Sequence, residues 1–521
     1  MAKNTAEQQA EKISSGYTFE GGSITLGAAL VDGQVHREAH VRLPLKMMNR
    51  HGLVAGATGT GKTITLQVMA EQLSTAGVPV FLADVKGDLT GLSTPGAASD
   101  KLLARTQSVG MDWQAASFPV GYYSLGGSGE GVPIRATVSS FGPVLLARIM
   151  ELNETQESSL LLVFHYADQQ DLELYDLRDL RAVIQHLVSD KGKGDLSGLG
   201  GMSKATAGVI LRGLVTLEAK GMDQFFGEPE FDTTELLRVA DDGRGVLSCL
   251  ELPTLLQQPL VFSTFLIWLL ADLFEELPEV GDADKPKLVF FLDEAHLLFK
   301  DASKAFMDSI TTTVRLIRSK GVGVFFITQT PQDVPGDILG QLANRVQHAL
   351  RAFTPDDAKA LKATVSTFPT SDYDLEAALT QAGTGEAIVV VMNEQGAPTP
   401  VAWTRMWSPR STMGASPAGT VAEVASASPL MQEYGTAVDR ESAFEVLASR
   451  QQADAASGPG TGDAEGGAPR QREDRGTRRP SQSRPPAQQA NPIMDFALQA
   501  AGILGKEFMR GMFGTRRRRR R

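Results

Sequence analysis

The stretch GATGTGKT, Gly56–Thr63, matches the glycine-rich pattern G-x-x-x-x-G-K-[ST] at every defined position. The apolar residues Leu53 to Ala55 stand directly before it, and apolar side chains recur at helical spacing after it. Glycines allow successive backbone N–H groups to curl around phosphate oxygens, and the N-terminus of the following helix adds partial positive charge. The stretch therefore predicts a phosphate-binding loop (P-loop) between a strand and a helix. The alternative is a glycine-rich turn that carries a solvated lysine.

The positions of this loop have distinct expected roles. Lys62 is expected to reach the β- and γ-phosphates of ATP and to act in catalysis, and the Thr63 hydroxyl is expected to ligate Mg²⁺. The residues expected to contact the nucleotide are Gly56, Ala57, Thr58, Gly59, Thr60, Gly61, Lys62, Thr63 and Ile64. The sequence thus predicts ATP and Mg²⁺ as cofactors.

A second motif, KLVFFLDEAHLLF from Lys287 to Phe299, places two acids at the end of an apolar strand. We expect Asp293 to hold Mg²⁺ through water and Glu294 to polarise the attacking water as general base. The alternative is a buried strand that ends in a helix-capping pair of acids. The motif also spells the DEAH box of two-domain helicases. Because the remaining pattern predicts a single RecA-like core, His296 is expected to pack beside the site without taking part.

Two further strand ends carry polar side chains. The segment FFITQTPQDVP predicts a strand that presents Gln329 near the γ-phosphate, where it orients water or senses the phosphate; the alternative is a turn cap. In ADVKGDLTGL, Asp84, Lys86 and Asp88 crowd the end of a strand expected next to the P-loop strand, at the edge where open α/β sheets bind ligands. Either Asp84 or Lys86 contacts the phosphates or the metal shell, or the segment is an ordinary turn.

Four arginines are candidates for arginine fingers, which stabilise the γ-phosphate of a neighbouring subunit in ring-shaped ATPases. Arg315 and Arg318 are predicted on a helix and project away from its apolar stripe, whereas Arg345 and Arg351 flank the strand RVQHAL. The alternative for each is a surface salt bridge. The histidines and the single cysteine show no metal-ligand spacing, so no zinc site is indicated.

The composition is that of a globular protein with an uneven distribution of charge. Hydrophobic residues make up 42% of the 521, and a single cysteine excludes an intramolecular disulfide and favours a reducing, cytoplasmic compartment. Residues 470–521 contain 14 Lys or Arg and 4 Asp or Glu, a net charge of +10; because the whole chain carries −11, the rest carries −21. This acidic body excludes a binder that is basic all over. The apolar run Pro259 to Phe274 is too short for a membrane span and predicts a buried helix.

Changes of pattern along the chain predict an α/β protein with a mainly parallel sheet, a large helical insertion and a disordered C-terminal linker. The predicted segments are a short N-terminal β segment with a turn at Asp32-Gly33 (1–45), a RecA-like core in two parts (46–95 and 284–409), a mainly helical insertion between them (96–283), a C-terminal extension (410–450), the linker (451–491) and an amphipathic helix with a poly-arginine end (492–521).

The six arginines Arg516–Arg521 have three interpretations. They bind nucleic-acid phosphates, or they lie with the preceding helix on an anionic membrane surface, or they are the solvated end of an oligomerisation or docking helix.

Four stretches resemble the bacterial HerA-like ATPases, a family formerly catalogued as a domain of unknown function within the HerA–FtsK superfamily of P-loop NTPases. They are LPLKMMNRHGLVAGATGTGKTITLQVMAEQLSTAGVPVFLADVKGDLTGL, KPKLVFFLDEAHLLF, VRLIRSKGVGVFFITQTPQDVPGDILGQLANRVQHALRAFTPDD and GEAIVVVMNEQGAPTP. The resemblance runs from about Gly22 to Pro409. It implies a RecA-like (ASCE) fold and a homohexameric ring that pumps or unwinds DNA, with Glu294 as base and Gln329 ending the next strand. HerA proper carries a full β-barrel at its N-terminus, whereas residues 1–45 leave room only for a remnant.

Two functions from different classes remain open on the sequence. The first is an ATP-hydrolysing motor of the HerA type, a translocase or helicase that acts on DNA as a ring of identical subunits. The alternative is an ATP-driven switch or assembly ATPase that acts on a protein or membrane partner without strand separation. The family and the basic tail favour the first, and the acidic body and the short N-terminus favour the second.

Overall fold

A computed structural model describes residues 5–196, 200–252, 259–281, 283–300 and 304–456. Its strands are β1 (Ser23–Val31), β2 (Gln34–Pro44), β3 (Gly52–Ala55), β4 (Val80–Asp84), β5 (Val120–Leu125), β6 (Val132–Ile134), β7 (Leu247–Glu251), β8 (Leu288–Leu292), β9 (Val322–Thr328), β10 (Asn344–His348), β11 (Glu386–Val390) and β12 (Ala402–Met406). Its helices are α1 (Ala6–Gly16), α2 (Lys62–Thr75), α3 (Asp100–Ser108), α4 (Val138–Phe141), α5 (Pro143–Ile149), α6 (Glu154–Gln169), α7 (Leu177–Val188), α8 (Lys204–Ala219), α9 (Pro259–Glu276), α10 (His296–Phe299), α11 (Lys304–Ile317), α12 (Gly336–Leu339), α13 (Pro355–Val365), α14 (Leu375–Gln381), α15 (Thr420–Ala427), α16 (Pro429–Tyr434) and α17 (Ala443–Ala456).

The described strands form one sheet of twelve strands in the order β2-β1-β12-β11-β10-β3-β9-β8-β4-β7-β5-β6. From β10 to β6 all neighbours are parallel, and from β2 to the β11–β10 pair all neighbours are antiparallel. In the order β10-β3-β9-β8-β4, the single strand β9 separates the P-loop strand β3 from β8, the strand that the two acids follow. This arrangement confirms the predicted RecA-like α/β fold with a mainly parallel sheet.

Strand β8 is apolar throughout and is buried at every position, because both faces of the sheet are covered there. In β8, Phe290 belongs to the cluster that packs against α9, whereas the next residue, Phe291, belongs to the cluster that packs against α2. Successive side chains point to opposite faces, so the hydrophobic side chains of β8 contribute to the core on both sides of the sheet. The predicted buried helix is α9, whose Phe265 and Trp268 lie in the first of these clusters. Among the described helices, none combines the length and the apolar character that crossing a bilayer requires.

The expectation that the strand of ADVKGDLTGL lies next to the P-loop strand is wrong. This strand is β4, and its neighbours are β8 and β7, so that β9 and β8 separate it from β3. Sequence neighbours often pair, but a parallel crossover is long enough to pass over other strands. Here the later strands β8 and β9 occupy the gap, and the end of β4 consequently faces the acids that follow β8.

The outer parts of the chain extend the same sheet. β1 and β2 form the predicted hairpin, with Asp32 and Gly33 at φ of 49° and 75°, as a type I′ turn requires. Between residues 96 and 283 the described helices are accompanied by β5, β6 and β7, which continue the parallel part. At the other end, α17 runs on to Ala456, into the stretch predicted as a linker. The remainder of that linker, the predicted amphipathic helix and the poly-arginine end lie outside the described residues.

Candidate active site

The loop Gly56–Thr63 leaves β3 at the carboxyl edge of the sheet and enters α2 at Lys62. Neighbouring strand ends hold it in place. The amide of Gly56 donates to the Thr328 carbonyl at 3.2 Å, the amide of Ala57 donates to the Ala349 carbonyl at 2.8 Å, and the Thr60 carbonyl accepts from the Gly385 amide at 2.9 Å. The loop is therefore fixed by β9, by the end of β10 and by the residue that precedes β11.

Close packing explains two of the glycines. At Gly56 an added Cβ atom would stand 2.5 Å from the Cβ of His348. At Gly61 the φ angle is 112°, and an added Cβ atom would stand 3.3 Å from the backbone of Gly385. A larger residue at either position forces the neighbouring backbone or side chain to move. The described loop has the strand–loop–helix setting that the sequence predicts for phosphate binding.

Lys62 is buried and bends back onto its own loop. Its Nζ donates to the carbonyls of Gly56 at 2.7 Å and Ala57 at 3.2 Å. Burial lowers the pKa of Lys62, and the nearby charge of Glu294 opposes that shift. On the next residue, the Thr63 side chain lies near the carboxyl group of Asp88, whose pKa is raised mainly by burial. The lysine and threonine thus face acids that come from two different strand ends.

Asp293 and Glu294 directly follow β8 at the same edge of the sheet. Asp293 is 2% exposed, its Oδ1 accepts from the Glu294 amide at 2.9 Å, and its Oδ2 has no hydrogen-bond partner among the described residues. Burial raises the pKa of Asp293 to about 7, and the adjacent charge of Glu294 adds to the shift. A buried carboxylate oxygen without a donor is a natural ligand for a hard cation.

These groups fit Mg²⁺ held jointly with phosphates. Thr63 supplies a hydroxyl, Asp293 supplies a carboxylate, and Asp88 adds a second carboxylate with a buried oxygen, Oδ1, that lacks a hydrogen-bond partner in the described part of the chain. Within that same part, no group of three or more His, Cys, Asp and Glu side chains forms a metal site on its own. Mg²⁺ in phosphate-transferring enzymes needs few protein ligands, because water and the substrate complete its shell.

Glu294 has unusual backbone and side-chain surroundings. Its φ is +48°, in the left-handed region that non-glycine residues rarely adopt. One carboxylate oxygen forms an ion pair with the ammonium group of Lys86. The other, Oε2, lies 3.2 Å from Nδ1 of His296, although the two atoms are not aligned for a hydrogen bond. His296 opens the short helix α10 beside the site, where the sequence places it.

The turn after β4 places Asp84 and Lys86 in different surroundings. The fully buried Asp84 carboxylate accepts from the amides of Gly87 at 2.7 Å, Asp88 at 3.2 Å and Leu89 at 2.9 Å. Asp84 therefore shapes the turn, and burial raises its pKa to about 6. Lys86 points to Glu294 instead. Burial alone would lower its pKa, but the hydrogen bond to Glu294 and the charge of Asp293 raise it.

The remaining predicted residues are spread over both edges of the sheet. Gln329 follows β9 directly, is exposed, and stands one residue beyond the Thr328 carbonyl that holds the P-loop. Arg351 follows β10 at this edge and is also exposed. In contrast, the exposed Arg315 and Arg318 precede β9 at the opposite edge, and Arg345, half-buried, lies in the first half of β10.

Sequence reasoning missed His348 and the contact between Lys86 and Glu294. His348 is buried, its Nε2 lies 2.9 Å from the Thr65 hydroxyl on α2, and its Nδ1 lies 2.9 Å from the Glu386 carbonyl. Burial lowers its pKa to about 4, so the ring is neutral. Apolar neighbours in the sequence gave no signal of this contact with the P-loop helix. For Lys86 the only signal was its place at a strand end.

A profile of the helicase HerA-like C-terminal family matches residues 30–521. No curated protein matches the chain in sequence.

Solved structures of the bacterial conjugative coupling protein TrwB share the fold. The unbound monoclinic form of TrwBdeltaN70 is 16% identical with a TM-score of 0.52, and the match covers 78% of this chain and 95% of that one. The complex of TrwB with ADP and Mg²⁺ is 16% identical with a TM-score of 0.51, covering 78% and 94%. The complex with the non-hydrolysable ATP analogue ADPNP is 16% identical with a TM-score of 0.52, and the match covers 78% of this chain and 94% of that one.

Proposed function

The chain belongs to the helicase HerA-like C-terminal family, and on that premise we propose that it is an ATP-hydrolysing motor that translocates along or unwinds DNA as a ring of identical subunits. The observation that carries the proposal is the convergence of Lys62, Thr63, Asp293 and Glu294 at one edge of the RecA-like sheet. ATP and Mg²⁺ are the proposed substrate and cofactor, in keeping with the ADP, ADPNP and Mg²⁺ of the TrwB complexes.

The proposed reaction is in-line attack of water on the γ-phosphate. Lys62 leaves the carbonyls of its own loop and binds the β- and γ-phosphates, while the loop amides hold the remaining phosphate oxygens. Thr63 and Asp293 hold Mg²⁺, which when bound neutralises charge on the phosphates. Glu294 accepts a hydrogen bond from the attacking water and takes its proton. Gln329 orients that water from the end of β9.

The alternative is an ATP-driven switch or assembly ATPase for a protein or membrane partner. The net charge of −21 on residues before 470 favours it, because a strongly acidic body repels nucleic-acid phosphates. Under the motor proposal, DNA contacts must come from local basic groups, and the arginine-rich residues 470–521 are the first candidates. We also propose a cytoplasmic location, which the free, buried Cys249 supports.

Hydrolysis with and without DNA tests the proposal. We expect single- or double-stranded DNA to stimulate the ATPase rate of the full chain, and the native mass to be that of an oligomer. A chain that ends at Ala456 serves as the comparison, since it keeps all described elements and lacks the basic tail. A monomer whose rate is indifferent to DNA in both forms would favour the switch over the motor.

A further inference from the structure

Glu294 forms an ion pair with Lys86, from the turn that follows the neighbouring strand β4. β4 and β8 pair in parallel, so the turn after β4 and the acids after β8 emerge side by side. The Lys86 ammonium group binds Oε1 of Glu294, whose side chain is 6% exposed against 43% for the lysine. The ion pair therefore joins a buried carboxylate to a cation that solvent can still reach.

Hydrogen bonds hold the turn that carries Lys86. Asp84 binds the amides of the three residues after Lys86 through its carboxylate, and Gly87 has a φ of 74° that favours glycine. The Cα of Lys86 is consequently fixed relative to β4, and the flexible part is the side chain alone. A fixed base for a long cationic side chain is suited to holding a neighbouring carboxylate in one orientation.

Glu294 needs such a restraint. A left-handed backbone at a non-glycine residue is strained and persists where surrounding contacts hold it. The backbone of Glu294 donates to Asp293 and accepts from the Leu297 amide, and among the described residues the aligned contact of its side chain is the one to Lys86. Among the described residues, the charged or titratable groups that face its carboxylate are Lys86, Lys62, Asp88, Asp293 and His296. Lys62 is bound to carbonyls of the P-loop, and the His296 ring is not aligned.

We propose that Lys86 is the positioning residue for Glu294, fixing the carboxylate in the orientation from which it polarises the attacking water. The inference rests on the proposed ATPase mechanism, in which Glu294 is the base. Lys86 contacts neither the phosphates nor the water in this role. Its removal should lower the rate of hydrolysis and leave nucleotide affinity unchanged.

The test is steady-state ATP hydrolysis by the full chain carrying Lys86→Met. We expect kcat to fall about tenfold to a hundredfold, as for the loss of a group that orients a catalytic residue. The dissociation constant for a fluorescent ATP analogue should stay within about twofold, since the phosphate ligands are intact. Lys86→Arg, which keeps the charge, should recover most of kcat. Lys12→Met, which removes a surface ion pair with Asp372, is the matched control and should behave as the wild type.

Glu294→Gln separates this inference from the proposed function. If Lys86 acts through Glu294, adding Lys86→Met to Glu294→Gln should lower the residual rate no further, because coupled residues are not additive. A normal rate in Glu294→Gln alone overturns the mechanism itself. An inactive Glu294→Gln together with normal or faster turnover in Lys86→Met overturns only the role of Lys86. So does weaker nucleotide binding in Lys86→Met, which assigns the lysine to the phosphates, or a failure of Lys86→Arg to recover activity.

Discussion

At the scale of single residues, the shape of the P-loop depends on the close contact between Gly56 and His348. Gly56 lies against His348, a neutral buried ring that also contacts Thr65 on the helix after the loop. The ring thus links α2, which follows the loop, to the first residue of β11. Because the ring is fixed at both nitrogens, it has little freedom to retreat from a larger neighbour.

Replacing Gly56 with alanine should therefore destabilise the fold and weaken nucleotide binding. The added Cβ would meet the His348 Cβ at 2.5 Å, and relieving such overpacking costs about 1–3 kcal/mol of the free energy of unfolding. Urea unfolding and binding of a fluorescent ATP analogue measure the two effects. Gly336→Ala is the control, since its Cβ would meet no atom within 4 Å at the start of α12. Equal stability of the two variants would show that the loop accommodates the methyl group.

At the scale of elements, acidic residues lie side by side at the ends of neighbouring parallel strands. Asp84 ends β4 and is the register partner of Glu251, which ends β7. Burial raises the pKa of Glu251 to about 7, and the charges of Asp84 and Glu130 add to the shift. Ionisation at this edge is therefore more costly in the folded chain than in the unfolded one.

The sign of the resulting pH dependence follows from the raised value. A carboxyl group whose pKa rises on folding contributes stability below its unfolded pKa and loses that contribution as the pH rises through the folded pKa. We expect Glu251→Gln, which cannot ionise, to raise the urea midpoint relative to wild type near pH 8 and to have a smaller effect near pH 5. A relative gain near pH 5 instead would mean that the folded state favours the charged form of Glu251.

The same elements show how far sequence reasoning reaches. The P-loop, the acid pair after β8 and the buried runs of β8 and β9 are local patterns, and the described structure has each of them where it was predicted. Strand order and contacts between distant residues are not local. Lys86 and Glu294 are 208 positions apart, and they meet only because β8 lies beside β4. β4 was expected beside the P-loop strand, and in that order the turn after β4 would have faced the P-loop strand. The contact between Lys86 and Glu294 was therefore not predicted.

At the scale of the whole molecule, the sheet assigns the four arginines to different edges. Arg351 stands at the carboxyl edge with the P-loop, whereas the other three belong to the opposite edge or to the first half of β10. Arg351 is also followed by Phe353, which is 82% exposed. Exposed arginine and aromatic residues close together in the sequence are a composition typical of protein interfaces. Of the four candidates, Arg351 is therefore the one we expect to act on a neighbouring subunit.

Mixing two inactive variants tests that expectation. Lys62→Ala disables the P-loop and keeps Arg351, whereas Arg351→Ala does the reverse. If Arg351 completes the site of the adjacent subunit, random mixing in equal amounts leaves roughly a quarter of the interfaces with both groups, and ATP hydrolysis returns in proportion. Mixing Lys62→Ala with Glu294→Gln is the control, because both changes disable a site from within one subunit. No recovery in the first mixture would contradict the assignment of Arg351 to the neighbouring subunit. Recovery in the control would contradict the assignment of Glu294 to the site of its own subunit.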